Sequence, residues 1–340
     1  MAKILVTGGL GYIGSHTVVE LINAGYEPVI VDDLSNSKLQ ILDQLSKIIG
    51  FKPVFYQFDL CNKQKLVEFT KSEPDIAGII HFAAFKAVGE SVNKPLKYYH
   101  NNLGSLLNLL SVYSGKPINF VFSSSCTIYG QPDELPVTEN APIKPAQSPY
   151  GNTKQIAEEI LNDVIISGDA QKVVSLRYFN PVGAHESALI GELPIGVPQN
   201  LVPFITQTAI GKREKITVFG NDYHTKDGSC VRDYIHVVDL AKAHVAALKF
   251  MERGDFKGYE AFNLGTGTGN SVLEIIFAFE RATGVKLNYE IGPRRSGDVE
   301  QIWGDVTKSA RELHWTAQSG IDTMMLSAWE WEKYLSKNPL

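Results

Sequence analysis

Tyr150 and Lys154 stand four residues apart in SPYGNTK (148–154). Four residues is about one helical turn, so in a helix both side chains share a face. Pro149 suits the first turn of a helix, which makes that spacing credible. A phenol ordinarily ionises near pH 10, too high for a base at neutral pH, but a neighbouring ammonium favours the phenolate. Upstream, FSSSCTIYG (122–130) places hydroxyls, Ser125 among them, at the end of an apolar run. A serine there can hydrogen-bond a reacting oxygen and share or relay its proton. The chemistry these side chains suit is proton transfer at a hydroxyl or carbonyl.

A Y-x-x-x-K pattern by itself also describes a solvated helix face, so the surrounding elements decide. KILVT (3–7), PVIVD (28–32), PVFYQ (53–57), GIIHF (78–82), NFVFSS (119–124) and VVSLRY (173–178) are short apolar runs. They have the pattern of parallel strands covered on both faces. Between them lie helical stretches such as SHTVVELINAG (15–25), with Val18, Leu21 and Ile22 on one face and a glycine stop. This alternation predicts an α/β fold, a doubly wound parallel sheet of the Rossmann type. From residue 181 the rhythm changes: NPVGAHESALIGELPIGVPQNLVP reads as loop. Helices near 236–251, 271–283 and 319–336 follow, with strands near 215–219 and 287–291. The expected organisation is a cofactor-binding unit over 1–180, with part of 232–265 returning to its sheet. A smaller mixed α/β substrate-binding cap is expected over 181–340.

VTGGLGYIG joins the first strand to the first helix and satisfies G-x-x-G-x-x-G through Gly8, Gly11 and Gly14. Such a turn lets the backbone approach a pyrophosphate whose charge sits at the helix N-terminus. Gly14 is expected to let the helix pack closely on the strand. Asp32 ends the second strand, where an acid accepts from ribose hydroxyls and, with Asp33 beside it, repels the phosphate of NADP. The turn therefore predicts bound NAD, whose oxidised ring would join the lysine in favouring phenolate. QFDL (57–60) and HFAA (81–84) end the next strands at the same edge. Asp59 suits the adenine amino group, Ala83 and Ala84 leave room, and Lys86 lies just beyond; each reads equally as an ordinary strand end.

The 340 residues are 44% hydrophobic and 20% charged, an ordinary globular composition, with a net charge of −5 that would repel nucleic acid. Cys61, Cys126 and Cys230 show no C-x-x-C spacing. That argues against a disulfide framework or zinc site and for a reducing compartment. His81, His185 and His236 likewise lack ligand spacing, so no metal is expected. MAKILVTGGLGYIG reads as a buried strand rather than a leader, and no apolar run approaches the roughly 20 residues of a membrane span. A cytoplasmic protein is the expectation.

Together with AVGESVNKPLKYY, LRYFNPVGAH, FGNDYHTKDGSCVRDYIHV, NLGTGTGNSV and GPRRSGD, these motifs resemble the extended short-chain dehydrogenase/reductase family over essentially the whole chain. Within it they resemble the UDP-glucose 4-epimerase branch. The resemblance implies that Ser125, Tyr150 and Lys154 are catalytic. It implies that NAD is held by Gly8, Gly11, Tyr12, Ile13, Gly14 and Asp32, with Asn36, Ser37, Asp59 and Leu60. Phe82, Ala83, Lys86, Asn101 and Phe179 would complete that site beside Tyr150 and Lys154. A UDP-sugar would meet Asn180, Asn200, Arg232, Arg295 and Asp298, backbone around Thr217, Val218 and Phe219, and Ser125 and Tyr150 at the sugar. Planar guanidinium groups suit a diphosphate, although without the family each arginine reads as a surface or salt-bridged residue. The implied activity interconverts UDP-glucose and UDP-galactose by inversion at C4 through a transient 4-keto sugar, with NAD staying bound.

Ile302 falls where relatives carry either tyrosine or a small residue beside the sugar. Its intermediate size leaves UDP-GlcNAc and UDP-GalNAc open as further substrates. In the family, helices equivalent to 94–114 and 151–167 pair into a homodimer. The row Leu103, Leu106, Leu107 and Leu110 reads either as that interface or as the protein's own core.

Two other readings stay open. A nucleotide-sugar 4,6-dehydratase shares the cofactor and the Tyr/Lys pair but needs an acid after strand five, where SCTIY offers Cys126 and Thr127. The same absence disfavours a decarboxylating UDP-glucuronate enzyme. A non-catalytic NAD-binding regulator is possible on this fold, but it would have no use for an intact Ser/Tyr/Lys set.

Overall fold

A computed structural model describes residues 1–295 and 299–340. The first part of the chain runs β1 (Lys3–Thr7), α1 (Tyr12–Asn23), β2 (Glu27–Asp32), α2 (Gln40–Ile49), β3 (Val54–Gln57), α3 (Lys63–Ser72), β4 (Ile76–His81) and α4 (Val88–Asn93). It continues through α5 (Pro95–Tyr113), β5 (Asn119–Ser123), α6 (Pro149–Ile166) and β6 (Lys172–Tyr178). Then come β7 (Asn180–Val182), α7 (Leu201–Ala209), β8 (Ile216–Phe219), β9 (Val231–His236) and α8 (Val237–Glu252). The last elements are β10 (Tyr259–Leu264), β11 (Gly269–Ser271), α9 (Val272–Thr283), β12 (Tyr289–Gly292), β13 (Gln301–Ile302) and α10 (Ile321–Lys337).

Seven parallel strands form the main sheet in the order β3-β2-β1-β4-β5-β6-β10. This is the doubly wound arrangement that the alternating pattern predicts. The order reverses between β1 and β4, and such a switch point opens a crevice at the carboxyl ends of the strands. One layer of core lies under α1, α2 and α8, around Ile4, Val6, Leu21, Val121 and Leu248. The other lies under α3, α5 and α6, around Leu5, Ile79, Leu106, Phe120 and Leu161. The strands read as unbroken apolar runs because they feed both layers.

The remaining strands stand apart from this sheet. β9 pairs with β7, β11 and β13, and β8 pairs with β12. Their core is a third cluster shared with α7, α9 and α10, including Val202, Ile205, Phe279 and Met325. Residues 180–182 at the start of the Gly/Pro-rich stretch are strand β7, not loop; its partner β9 lies more than fifty residues on, so no local pattern marks it. Among the described residues no helix is long and apolar enough to cross a membrane.

The leucine row on α5 splits. Leu106 and Leu110 are buried in the second core layer and Leu103 packs partly against it, while Leu107 is 48% exposed. Positions 106 and 107 point about 100° apart on a helix, so they cannot serve one face.

Candidate active site

The turn between β1 and α1 is held against its neighbours by backbone. Gly8 takes φ +69°, donates its N–H to the Val31 carbonyl at 2.8 Å, and accepts from Gly11 N–H at 3.0 Å. A Cβ on Gly8 would sit 2.9 Å from the Ala83 nitrogen, so the turn lies directly against the end of β4. Gly14 needs its missing side chain for a different reason from the one expected. A Cβ there would strike the Gly8 carbonyl oxygen at 2.2 Å, so it is the turn, not the strand, that it accommodates. Gly11 begins α1 with no side-chain cap, which leaves first-turn amide groups open to an anion.

Asp32 is 7% exposed and reaches back across the same turn. It accepts from Leu10 N–H at 3.1 Å, Leu34 N–H at 2.9 Å and Ser37 Oγ at 2.7 Å. Burial raises its carboxyl above the ordinary value, opposed by those hydrogen bonds. Asn36 is exposed in the loop after β2. Farther along the edge, Asp59 accepts from Cys61 N–H at 2.8 Å, Leu60 is buried, and the Phe82 ring packs 4.7 Å from His244. Asn101 donates to Asn102 Oδ1 at 3.0 Å. A dinucleotide fits this set: glycines without Cβ atoms let the turn fold tightly against the end of β4 and the start of α1, which leaves uncapped first-turn amide groups for a pyrophosphate, and a buried acid stands across the turn.

Ser125, Tyr150 and Lys154 come together at the end of β5. Ser148 caps α6 by accepting from Gly151 N–H at 3.1 Å, and Pro149 follows at the helix start. Tyr150 is thereby placed in the first turn with Lys154 one turn on. The Ser125 hydroxyl stands beside the Tyr150 phenol and favours its ionised form. Ser125 Oγ also accepts from Thr127 N–H at 3.2 Å and Oγ1 at 3.0 Å. Lys154 donates to the Ser123 carbonyl at 2.7 Å, and its ammonium lies 4.6 Å from the Phe122 ring centre and 6.0 Å from that of Tyr150.

Burial dominates both titrations. It pushes the Tyr150 phenol up and pulls Lys154 down to about 7. In the protein alone burial sets the direction at the phenol; the expected pull towards phenolate belongs to the lysine together with an oxidised nicotinamide ring. His81, beside them, is held at about 3 by burial and then by Lys154, and bonds Thr7 Oγ1 at 2.7 Å. His236 caps α8 by accepting from Val238 N–H at 3.2 Å. Among the described residues no group of side chains is placed to hold a metal.

On the other side of the crevice, Arg232 on β9 donates to the Val231 carbonyl at 2.8 Å. Its charge acts on the Cys126 thiol next to Ser125, which burial holds near 12. Ile302 is 3% exposed and packs with Phe179, Tyr129 and Cys126, against the turn that follows Ser125. Asn180 lies on β7, while Thr217, Val218 and Phe219 belong to the separate β8–β12 pair. Thr217 Oγ1 bonds Glu290 at 3.3 Å, and the Arg295 guanidinium lies 5.6 Å over the Phe219 ring. Asp298 lies outside the described residues.

One residue that the sequence did not mark ties these parts together. Glu192 accepts from Asn200 Nδ2 at 2.5 Å and from Lys86 at 3.3 Å, joining a residue expected at the cofactor to one expected at the substrate. It sits in a Gly/Pro-rich stretch with no periodicity to signal it. Tyr12 donates to the Gly183 carbonyl at 2.6 Å, so α1 is bonded to the loop after β7.

A family model described as GDP-mannose 4,6 dehydratase matches residues 5–327. The chain is 48% identical over 337 residues to the UDP-glucose 4-epimerase of Yersinia pestis, covering 99% of this chain and 98% of that one. It superimposes with a TM-score of 0.95, at 45% identity and 99% coverage of both chains, on UDP-glucose-4-epimerase from Stenotrophomonas maltophila with bound NAD and formylated UDP-arabinopyranose. Similarly, the UDP-glucose 4-epimerase of Bifidobacterium longum in complex with NAD+ and UDP gives 0.92 at 45% identity and 99% coverage of both.

Proposed function

The chain belongs to the family that the dehydratase model describes and, within it, to the UDP-glucose 4-epimerases of the extended short-chain dehydrogenase/reductases, and on that footing we propose how its residues perform the reaction. It interconverts UDP-glucose and UDP-galactose by inverting C4 and uses NAD. The observation that carries the site assignment is the buried Ser125–Tyr150–Lys154 group beside a glycine turn backed by Asp32. The turn after Ser125 offers Cys126 and Thr127 and no carboxylate, which favours epimerisation over dehydration.

Gly8, Gly11, Gly14 and Asp32 hold the dinucleotide, with Tyr12, Ile13, Ser37, Ala83 and Lys86 around it. Bound NAD supplies the acceptor, and then the donor, of the C4 hydride. Tyr150 takes the O4 proton and Ser125 hydrogen-bonds that oxygen, steadying the developing charge. Lys154 favours the phenolate whenever it is cationic, offsetting the burial that raises Tyr150. Arg232, Arg295 and Asn200 anchor the UDP end, while the flat 4-keto sugar, turning about its link to the diphosphate, presents its other face. Tyr150 then returns the proton. Anchoring UDP strongly and the sugar weakly is what lets one base serve both faces.

Residues 1–180 with the returning α8–β10 segment form the cofactor unit, and the other elements form the substrate unit. A cytoplasmic setting is supported by three free thiols. A homodimer across α5 and α6 is supported by the outward Leu107 and Ile166, 48% and 73% exposed. Sedimentation at micromolar concentration tests it, and a Leu107→Glu chain sedimenting as the unchanged one does would argue against that face. For the activity, the protein is incubated with UDP-galactose without added cofactor and sugars are followed by NMR. UDP-glucose should form, and Tyr150→Phe should slow it by about 100-fold or more. Full turnover in that variant would refute the assignment.

A further inference from the structure

The catalytic helix carries a buried carboxylate that the mechanism above does not use. Glu158 lies one turn beyond Lys154 on α6 and is 5% exposed. Arg177 Nε lies 3.1 Å from each of its oxygens, and Nη2 lies 2.6 Å from Oε2. Oε1 also accepts from Ser124 Oγ at 2.5 Å, and Oε2 from the Tyr259 hydroxyl at 3.0 Å. Ser124 immediately precedes Ser125, so the carboxylate is bonded to the segment that presents the catalytic hydroxyl. At the far end of the same turn, Arg177 Nη1 donates to the Tyr129 hydroxyl at 3.1 Å.

A buried ion pair is weak evidence for stability, because well-packed apolar replacements are often as good. Its position and its sign are more informative. Lys154 faces His81 from β4, and Tyr150 and Glu158 from its own helix, with Arg177 on the far side of Glu158; Tyr178 on β6 acts on Tyr150 and bonds Ser123. From β5 Lys154 meets only the Phe122 ring and the Ser123 carbonyl, neither of them charged. Burial keeps His81 neutral and raises both phenols. Among these groups Glu158 is the anion, and its charge opposes the burial that lowers Lys154.

We propose that Glu158 is a positioning residue for the proton-transfer group: it holds the serine turn through Ser124, and its charge keeps Lys154 an ammonium beside Tyr150. This rests on the reading of Tyr150 as the base. Glu158→Gln keeps the side chain's shape but leaves Arg177 buried and unpaired, which threatens folding. Glu158→Gln combined with Arg177→Met removes both charges and keeps the test available.

For each variant, kcat and KM for UDP-galactose are measured from about pH 6 to about pH 9.5 on the protein with its own NAD, with circular dichroism to check folding. The acidic limb of kcat reports protonation of Tyr150, which loses a neighbouring cation when Lys154 turns neutral. That limb should rise by about one pH unit, lowering turnover on it about tenfold with KM little changed. Ser124→Ala should lower the plateau without moving the limb. A folded double variant whose limb stays in place overturns the inference, since a merely structural pair changes stability alone. Failure of the underlying reading looks different: Tyr150→Phe would then keep its turnover.

Discussion

Alanine at Gly14 tests how the glycine turn works. A Cβ there lies 2.2 Å from the Gly8 carbonyl oxygen and 2.9 Å from Gly9 Cα, where ordinary contact begins at 3.4 Å. Both obstacles are backbone, and Gly8 cannot retreat. Its N–H is bonded to Val31, and its own missing side chain faces Ala83. No rotamer relieves the overlap, so the first turn of α1 must move away by about 1 Å. Overpacking on this scale costs about 1–3 kcal/mol, and the amide groups expected to meet the pyrophosphate move with it.

Gly11→Ala is the comparison. Gly11 has φ −72°, and its Cβ would meet only Gly8 O, at 3.1 Å. Two positions that look equivalent in the motif should therefore separate. Gly14→Ala should weaken NAD binding by about 10- to 100-fold, equivalent to about 1.4–2.8 kcal/mol, and Gly11→Ala by a few-fold at most. The assay is NAD retained per chain after dilution and gel filtration, with melting midpoints taken with and without added NAD. Gly14→Ala retaining its cofactor and its melting midpoint, or both variants failing alike, would refute the steric reasoning.

Acid should destabilise the fold through its buried histidines. Burial holds His16, His81 and His244 at about 3, 3 and 4 against an ordinary 6.5. As the pH drops below 6.5 the unfolded chain takes up protons that the folded one does not, so stability present above that pH is lost towards pH 4. Each histidine costs about 2 kcal/mol by pH 5. Urea midpoints should fall over that range, and His81→Gln should flatten the slope; an unchanged slope would contradict burial as its cause. At Ile302, tyrosine should lower the ratio of UDP-GlcNAc to UDP-glucose turnover and alanine should raise it, each by about tenfold. A ratio indifferent to that side chain would remove the steric account.

What can be read along the chain is what depends on near neighbours. Apolar runs mark the strands, the glycine spacing marks a turn that only small residues can make, and Pro149 with Tyr150 and Lys154 marks the start of one helix and one face of it. Each of these is settled within about ten residues, where backbone geometry leaves few choices. The same logic misjudged Gly14, because the atom it must clear belongs to the turn rather than to the strand.

Contacts across the chain follow no such rule. Glu192 meets Lys86 from 106 residues away, Tyr12 meets Gly183, and Ile302 packs on Phe179. Nothing in the residues between encodes these meetings. Even the ionisation of Tyr150 and Lys154 is of this kind. Their spacing identifies a pair from sequence alone, but the direction in which each titrates depends on burial beneath the sheet edge and on Glu158, held in place by Arg177 from another strand. Spacing is a property of the local chain, whereas solvent exclusion is a property of everything packed around it, and that only the tertiary structure decides.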